Sequence, residues 1–252
     1  KSIPSIIDYN GNIIITAGDE GGNFYGLNLD GTLAFHIITG DNIRSSAGFT
    51  EINNDLAIFF GSEDGLLYGI DVNGDNLNGW PQYIGDVKIN SSPVFADINN
   101  DNIPEIISAS EEGVLLIFNA NGTPYENFPI NYNYGFISSP TIVDLDNDND
   151  LEIIIGTNQN LSVIDLKIET YSEQNYWNTY QGNNQRSGTY TFNGGGLIGD
   201  INQDTYIDVL DIVISLNIII GNIDPTSSQM YSGDINGDSL INIQDVVLLI
   251  NI

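Results

Sequence analysis

The chain has 252 residues, with 34 acidic side chains, five basic ones, one histidine and no cysteine, for a formal net charge of −29. Lys1, Arg44, Lys88, Lys167 and Arg186 are scattered, so no basic patch exists to neutralise phosphates, and an anionic membrane surface repels the chain. The composition leaves no disulfide scaffold, Fe–S site or thiol nucleophile, and His36 alone supplies no histidine-rich zinc site or Ser–His–Asp triad.

Hydrophobic residues make up 41% of the chain, which is enough for a core despite the charge. Apolar runs such as Ile212–Ile214 and Ile218–Ile220 are far too short to span a bilayer. Lys1 leads straight into strand-like sequence. The expectation is that a signal peptide has been removed or that the chain begins part-way through a longer protein.

From the N-terminus the chain repeats. Ser45-Ser46-Ala47, Ser91-Ser92-Pro93 and Ser138-Ser139-Pro140 are spaced by 46 and 47 residues. Each opens a short apolar strand, an acidic or Asn-rich turn, a second strand and a third. Pro93–Asp97 matches Pro140–Asp144, and Pro4–Asp8 fits the same frame, which makes four repeats. Asp30-Gly31, Asn73-Gly74 and Asn121-Gly122 follow the third strands as hairpin signals. A four-stranded unit recurring every 46 or 47 residues predicts β-propeller blades, at about 1–44, 45–90, 91–137 and 138–192. On these residues, together with Gly79-Trp80-Pro81 and the Trp177 to Gly188 stretch, segment 1–192 resembles the FG-GAP/VCBS (integrin-α-like) or quinoprotein-like propellers of secreted bacterial proteins. Propellers of these families usually have more blades, so a larger propeller with blades upstream of Lys1 is expected over a complete small one.

Two repeats carry acidic loops between their first and second strands. Asp97, Asn99, Asp101, Ile103 and Glu105 in one, and Asp144, Asp146, Asp148, Asp150 and Glu152 in the other, occupy positions 1, 3, 5, 7 and 9. Oxygen side chains at 1, 3, 5 and 9 with a carbonyl at 7 can wrap one hard cation, and a cation relieves the repulsion among these acids. Structural calcium is expected in both, with an Asp/Asn turn as the alternative. Asp8–Asn12 and Glu51–Asp55 break the pattern, and Asp71–Asp75 reads as a turn.

A Gly-rich linker, residues 193–198, leads to a second repeat of period 34 over residues 199–252. Asp200, Asn202, Asp204, Tyr206 (carbonyl), Asp208 and Asp211 fill positions 1, 3, 5, 7, 9 and 12 of an EF-hand-type loop. Asp234, Asn236, Asp238, Leu240 (carbonyl), Asn242 and Asp245 fill the same positions of the second copy. Of the eight acids after Gly199, only Asp224 lies outside these positions. Position 12 is Asp rather than Glu, Thr205 and Ser239 replace the usual Gly at position 6, and no helix is expected before either loop. Each loop is followed by an apolar stretch of helical length, the first running to Gly221; a matching second helix would end near 255, so a few C-terminal residues are expected to be missing. The layout resembles a type I-like dockerin. That resemblance implies a cohesin-like protein partner, contacted through Val209 and Leu210 in the first half and Ile243 and Gln244 in the second. The helices carry more apolar surface than 54 residues can bury, which leaves either a binding face or packing of the module on the propeller.

No nucleophile elbow, zinc-protease or Walker motif is present, and the carboxylates are accounted for as ligands, so the segment is read as non-catalytic. The expectation is a mainly β chain with a small α C-terminal module: propeller-like blades plus a two-helix dockerin. It holds about four calcium ions, two per part, and acts as a secreted attachment region, with the propeller as spacer or recognition platform. Two alternatives stand beside it: the C-terminal accessory region of a larger secreted hydrolase such as a peptidase, and a structural subunit of an extracellular assembly.

Overall fold

Short β-branched and aromatic runs, each stopped by an Asn, Asp or Gly turn, form four antiparallel sheets. The computed structural model describes all residues except 1, 10, 54, 170–175, 184, 193–197, 203–205, 224, 226, 239 and 252. The chain divides into two compact units, one of residues 1–7, 13–52 and 56–190, the other of 8–12, 53–55 and 191–252. Most of the 193–198 linker therefore lies outside the described residues.

The first sheet holds β1 (Ser5–Tyr9), β2 (Asn12–Gly18), β3 (Asn23–Asn28) and β4 (Leu33–Ile38). The second holds β5 (Gly48–Ile52), β6 (Asp55–Gly61), β7 (Leu66–Ile70) and β8 (Gln82–Tyr83). The third holds β9 (Val94–Ala96), β10 (Glu105–Ala109), β11 (Val114–Phe118) and β12 (Ile130–Asn131). The fourth, with three strands, holds β13 (Thr141–Val143), β14 (Asp150–Gly156) and β15 (Leu161–Glu169). A late strand, β16 (Thr189–Phe192), joins the first sheet beside β1. Each sheet is an up-and-down meander whose turns are fixed locally. Gly31 and Gly122 adopt φ of +82° and +80°, while Asp30 and Asn121 accept from the backbone N–H two residues on. Asp71 accepts from Asn73 N, two residues on, and from Asp75 N, four residues on, so this acidic stretch is a turn.

Burial explains the strand patterns. β10 is buried throughout and β6 from Leu56 onward, because both of their faces meet neighbouring sheets. Phe24 stacks on Phe60 at 3.9 Å between sheets one and two, and Phe59 meets Phe95 at 5.5 Å between sheets two and three. Sheets three and four share an aliphatic core of Val94, Ile107, Ile117, Ile142, Ile153 and Ile155.

The repeated serines join the sheets. Ile3 N donates to Ser46 Oγ (2.9 Å), Ser46 N to Ser92 Oγ (3.0 Å) and Ser92 N to Ser139 Oγ (2.8 Å). Each repeat thus satisfies a backbone donor of the one before it, at the spacing seen in the sequence. The segment after β15 then touches the first strand of every sheet. Trp177 O accepts from Phe95 N (3.0 Å), and Asn178 O from Ile142 N (2.9 Å). The Trp177 ring meets Phe49 edge-on, and buried Gln181 reaches Ser5 Oγ at 3.4 Å. Gly182 (φ +79°) and Gly188 (φ +62°) allow this path: a Cβ would lie 2.4 Å from the Trp177 ring at one and 1.9 Å from Gln181 Oε1 at the other.

In the second unit, α1 (Val209–Ile219) and α3 (Ile243–Leu249) contact each other. A third helix, α2 (Ser227–Gly233), precedes the second loop, where none was expected. Pro225 does not prevent it, because it stands two residues before the helix and removes no helical N–H.

Candidate metal centres

Asp208 and Asn242, at position 9 of their loops, are also the N-caps of α1 and α3. Their side chains accept from Leu210 N and Gln244 N. Asp211 and Asp245, at position 12, are the N3 residues of the same capping boxes. Both are buried. Asp211 Oδ1 accepts from Ile201 N (2.8 Å) and Asn202 N (3.0 Å), and its Oδ2 from Asp208 N (2.8 Å). Asp245 repeats the set with Ile235 N (2.9 Å), Asn236 N (3.1 Å) and Asn242 N (2.9 Å). One carboxylate therefore ties the start of each loop to its end. The D-x-x-D and N-x-x-D spacings carried this capping signal, which a reading for ligands alone missed.

Asp234, Asp238 and Asp245 place carboxylate oxygens within 4.8 Å of one another. Asn236 and Asn242 surround them, each donating an amide N–H to Asp238 Oδ2 (3.1 and 3.2 Å). In the first loop Asp200 is buried, Asn202 is half-buried and Tyr206 is exposed, while Asp204 lies outside the described residues. So do the position-6 residues Thr205 and Ser239, and Asp224. An all-oxygen donor set of this kind suits a hard divalent cation.

The two propeller loops share one frame. Glu105 Oε2 accepts from Ile98 N (2.7 Å), and Glu152 Oε2 from Leu145 N (2.6 Å). Asp97 accepts from Asp101 N and Asn102 N, and Asp144 from Asn147 N and Asn149 N. The asparagines at positions 4 and 6, Asn100, Asn102, Asn147 and Asn149, have φ between +62° and +71°. Asn tolerates this left-handed backbone, which explains the Asn-rich sequence between the ligand positions.

The loops differ in their acids. Asp144, Asp146 and Glu152 gather oxygens within 4.8 Å, and Asp148, Asp150 and Glu152 form a second group sharing Glu152. Asp150, expected to contribute only a carbonyl at position 7, puts its side chain into that second group. It is buried, and burial and the neighbouring Asp148 push its carboxyl up to about 6. Burial, then Asp148 and Glu152, also raises Asp146, whereas the Asp150 backbone N–H lowers Asp148. At the earlier loop no three-carboxylate group forms among the described residues. There Asn99 holds position 3 and donates to Glu105 Oε1 (3.1 Å), while Asp101 and Ile103 stand at positions 5 and 7. Burial, with Asp101 and Asp97, pushes Glu105 up to about 7.

Val209, Leu210 and Ile243 are 70%, 56% and 58% exposed beside the dockerin-type loops. Exposed Gln244 is partly engaged by its own loop, accepting from Asn236 Nδ2 (3.3 Å). The helices bury little of their apolar surface: α1 buries Asp211 and Ser215, and α3 buries Asp245, Val246 and Leu249. His36 stacks on Tyr25 at 4.7 Å and bonds Asn23 Oδ1, a structural role on the exposed face of β4.

The family model described as an FG-GAP-like repeat matches residues 97–155, and that of the dockerin type I domain matches residues 198–252. No curated protein matches the chain. Among solved structures it resembles the computationally designed Ika4 protein, with 14% identity, a TM-score of 0.47 and coverage of 66% of this chain and 92% of that one. BamB from Moraxella catarrhalis follows at 13% identity and a TM-score of 0.45, covering 66% and 47%. The WD40 β-propeller domain of Doa1 has 18% identity and a TM-score of 0.44, covering 61% and 47%. The chain spans about half the length of the BamB and Doa1 structures it matches. Both nine-residue acidic loops fall inside the first family match and both twelve-residue loops inside the second. The chain therefore carries an FG-GAP-like repeat and, at residues 198–252, a type I dockerin domain, the member of a calcium-binding family whose partners are cohesins.

Proposed function

We propose that this segment is a non-catalytic, calcium-dependent attachment region of an extracellular protein. The dockerin docks onto a cohesin-like domain through Val209, Leu210, Ile243 and Gln244, and the blades serve as spacer or recognition platform. About four calcium ions are held: two by the twelve-residue loops, one at Asp97–Glu105 and one at Asp144–Glu152. The observation carrying this reading is the matched pair of buried position-12 carboxylates, each tying its loop together beside exposed apolar residues. Calcium drawn to each loop holds both of its ends and so fixes the direction of those residues.

The test uses the full chain and a type I cohesin, by titration calorimetry with calcium and with excess chelator. Among the described residues the three α-helices lie within residues 209–249, so ellipticity at 222 nm follows the dockerin. Chelation is expected to lower that signal and abolish binding. Undiminished binding in chelator overturns the calcium dependence. Wild-type affinity in both the Val209→Asp/Leu210→Asp and the Ile243→Asp/Gln244→Asp variants overturns the docking face.

A further inference from the structure

A cavity of about 500 Å³ opens among the second, third and fourth repeats, lined by the serines of the inter-sheet ladder. Its floor is buried and polar, with Ser46, Ser91 and Ser92. Its rim is exposed, with Ile137 at 71% and Leu161 at 68%. The volume lies within the roughly 300–1,000 Å³ of small-ligand pockets.

Hydrogen-bonding capacity is left over here. Ser92, Ser138 and Ser139 each use Oγ as an acceptor, from Ser46 N, Gly156 N and Ser92 N. A hydroxyl carries one donor proton as well, and among the described residues none of these three donates to protein. Asn90 presents the opposite need. Its amide N–H groups go to Glu63 (3.2 Å) and Glu111 (2.8 Å), which fixes the orientation of the side chain. Its Oδ1 is buried and has no partner.

The charge is equally uneven. Arg44 and Lys88 are both spent on Glu63, at 3.1 and 3.6 Å, and Lys167 is spent on Asp165. Arg186, on the rim, is the one described cation with no ion pair, in a chain with 34 acids. Its guanidinium makes no hydrogen bond to a described residue, so its planar fork of donors is unused. Its backbone is held in place: Arg186 N donates to Asn183 O (2.9 Å), and Asn183 bonds Ser187 on both sides of its amide.

A free guanidinium asks for a carboxylate. Several unspent hydroxyl donors suit a ligand that carries several hydroxyls of its own. The exposed aliphatic rim suits the C–H face of a ring. We propose that this cavity binds a carboxylate-bearing sugar, a uronic acid unit of a glycan, with Arg186 on the carboxylate and Ser92, Ser138 and Ser139 on the ring hydroxyls. The site lies wholly in the first unit and does not depend on the docking proposal.

Titration calorimetry of the calcium-loaded full chain with trigalacturonate tests this, with neutral galactotriose and acetyl-trialanine as comparison ligands. Trigalacturonate is expected to bind, with galactotriose and acetyl-trialanine each at least roughly tenfold weaker, as for loss of one charge-assisted contact or of the ring hydroxyls. Arg186→Gln is expected to lose roughly tenfold and Arg186→Lys less. Residue 186 is exposed and its side chain supports no other described group, so folding is expected to be unaffected. No trigalacturonate binding up to about 10 mM, an affinity too weak to matter, overturns the proposal. Unchanged binding by Arg186→Gln overturns it too, since calcium bridging at the acidic loops would behave that way. Equal affinity for acetyl-trialanine would mark a simple carboxylate site and overturn the sugar assignment.

Discussion

Asp245→Asn isolates the role of the position-12 carboxylate. The wild-type side chain accepts from three backbone N–H groups, at 2.9, 3.1 and 2.9 Å, and is buried. An amide of the same shape keeps its oxygen for Ile235 N and Asn236 N but turns an NH₂ toward Asn242 N. One charge-assisted bond becomes a donor facing a donor, and the other two lose their charge. At about 1.5–3 kcal/mol per bond to a charged group, and about half that for a neutral one, the loss is about 3–6 kcal/mol. Because ordering the loop and binding the ion are one equilibrium, that loss appears in calcium affinity, as about 150- to 25,000-fold. The assay is calcium titration of the full chain, followed by ellipticity at 222 nm with bound metal counted in parallel. Asp211→Asn should give a similar result in the other half, since its three bonds match. A wild-type midpoint and metal count in Asp245→Asn would refute the reasoning, because the buried carboxylate would then be holding neither the loop nor the ion.

Ser92→Ala should cost about 1–3 kcal/mol of stability in thermal or denaturant unfolding, because it leaves the buried Ser46 N–H without an acceptor; no change would mean that water replaces the hydroxyl. In chelator, Glu105 carries a folded pKa of about 7 against an ordinary 4.5. The native state then holds the proton more tightly, so this contribution is fully present below pH 4.5 and is lost as the pH rises through 7. Melting temperatures of the metal-free protein from pH 4 to 8 should therefore fall relative to Glu105→Gln as the pH rises; a rising difference would contradict the burial argument. The docking residues differ between the halves, Val-Leu against Ile-Gln, and Gln244 is drawn toward Asn236. Cohesin binding should therefore prefer one orientation, with Val209→Asp/Leu210→Asp and Ile243→Asp/Gln244→Asp losing unequal affinity in calorimetry; equal losses would indicate two interchangeable modes.

The features legible in the sequence were those written within a few residues or repeated at a fixed spacing. Asp-Gly and Asn-Gly turns announced the hairpins because only a few residues tolerate their backbone. The twelve-residue loops were legible because ligand oxygens must recur at set positions around one point. The Asn-rich stretches were seen, but positive φ at Asn100 and Asn147 needs a backbone before it can be read. The helix at Ser227–Gly233 was missed because Pro225 and a run of small polar residues look like a loop. Propensity there is a weak prior that tertiary contacts override: Gly199 N donates to Ser232 O (2.8 Å), tying the helix to the start of the first loop.

The harder cases combine a visible repeat with an invisible partner. The Ser-Ser spacing was the first sign of the blades, yet nothing in the sequence says that Ser92 accepts from Ser46 while Ser139 accepts from Ser92. Those bonds join residues 46 and 47 apart, and only the packed sheets bring them together. Trp177 to Gly188 was read as the tail of the repeat, whereas it meets the first strand of every sheet. The same long-range assembly leaves Arg186 beside hydroxyls contributed by two different repeats. A net charge of −29 directs attention to cations and away from anions, and at the acidic loops that inference serves well. Composition averages over the whole chain, however, while a ligand meets only the groups within a few ångströms of it. An unpaired arginine set among unspent donors is the local feature on which the proposed preference, opposite in sign to the global charge, rests.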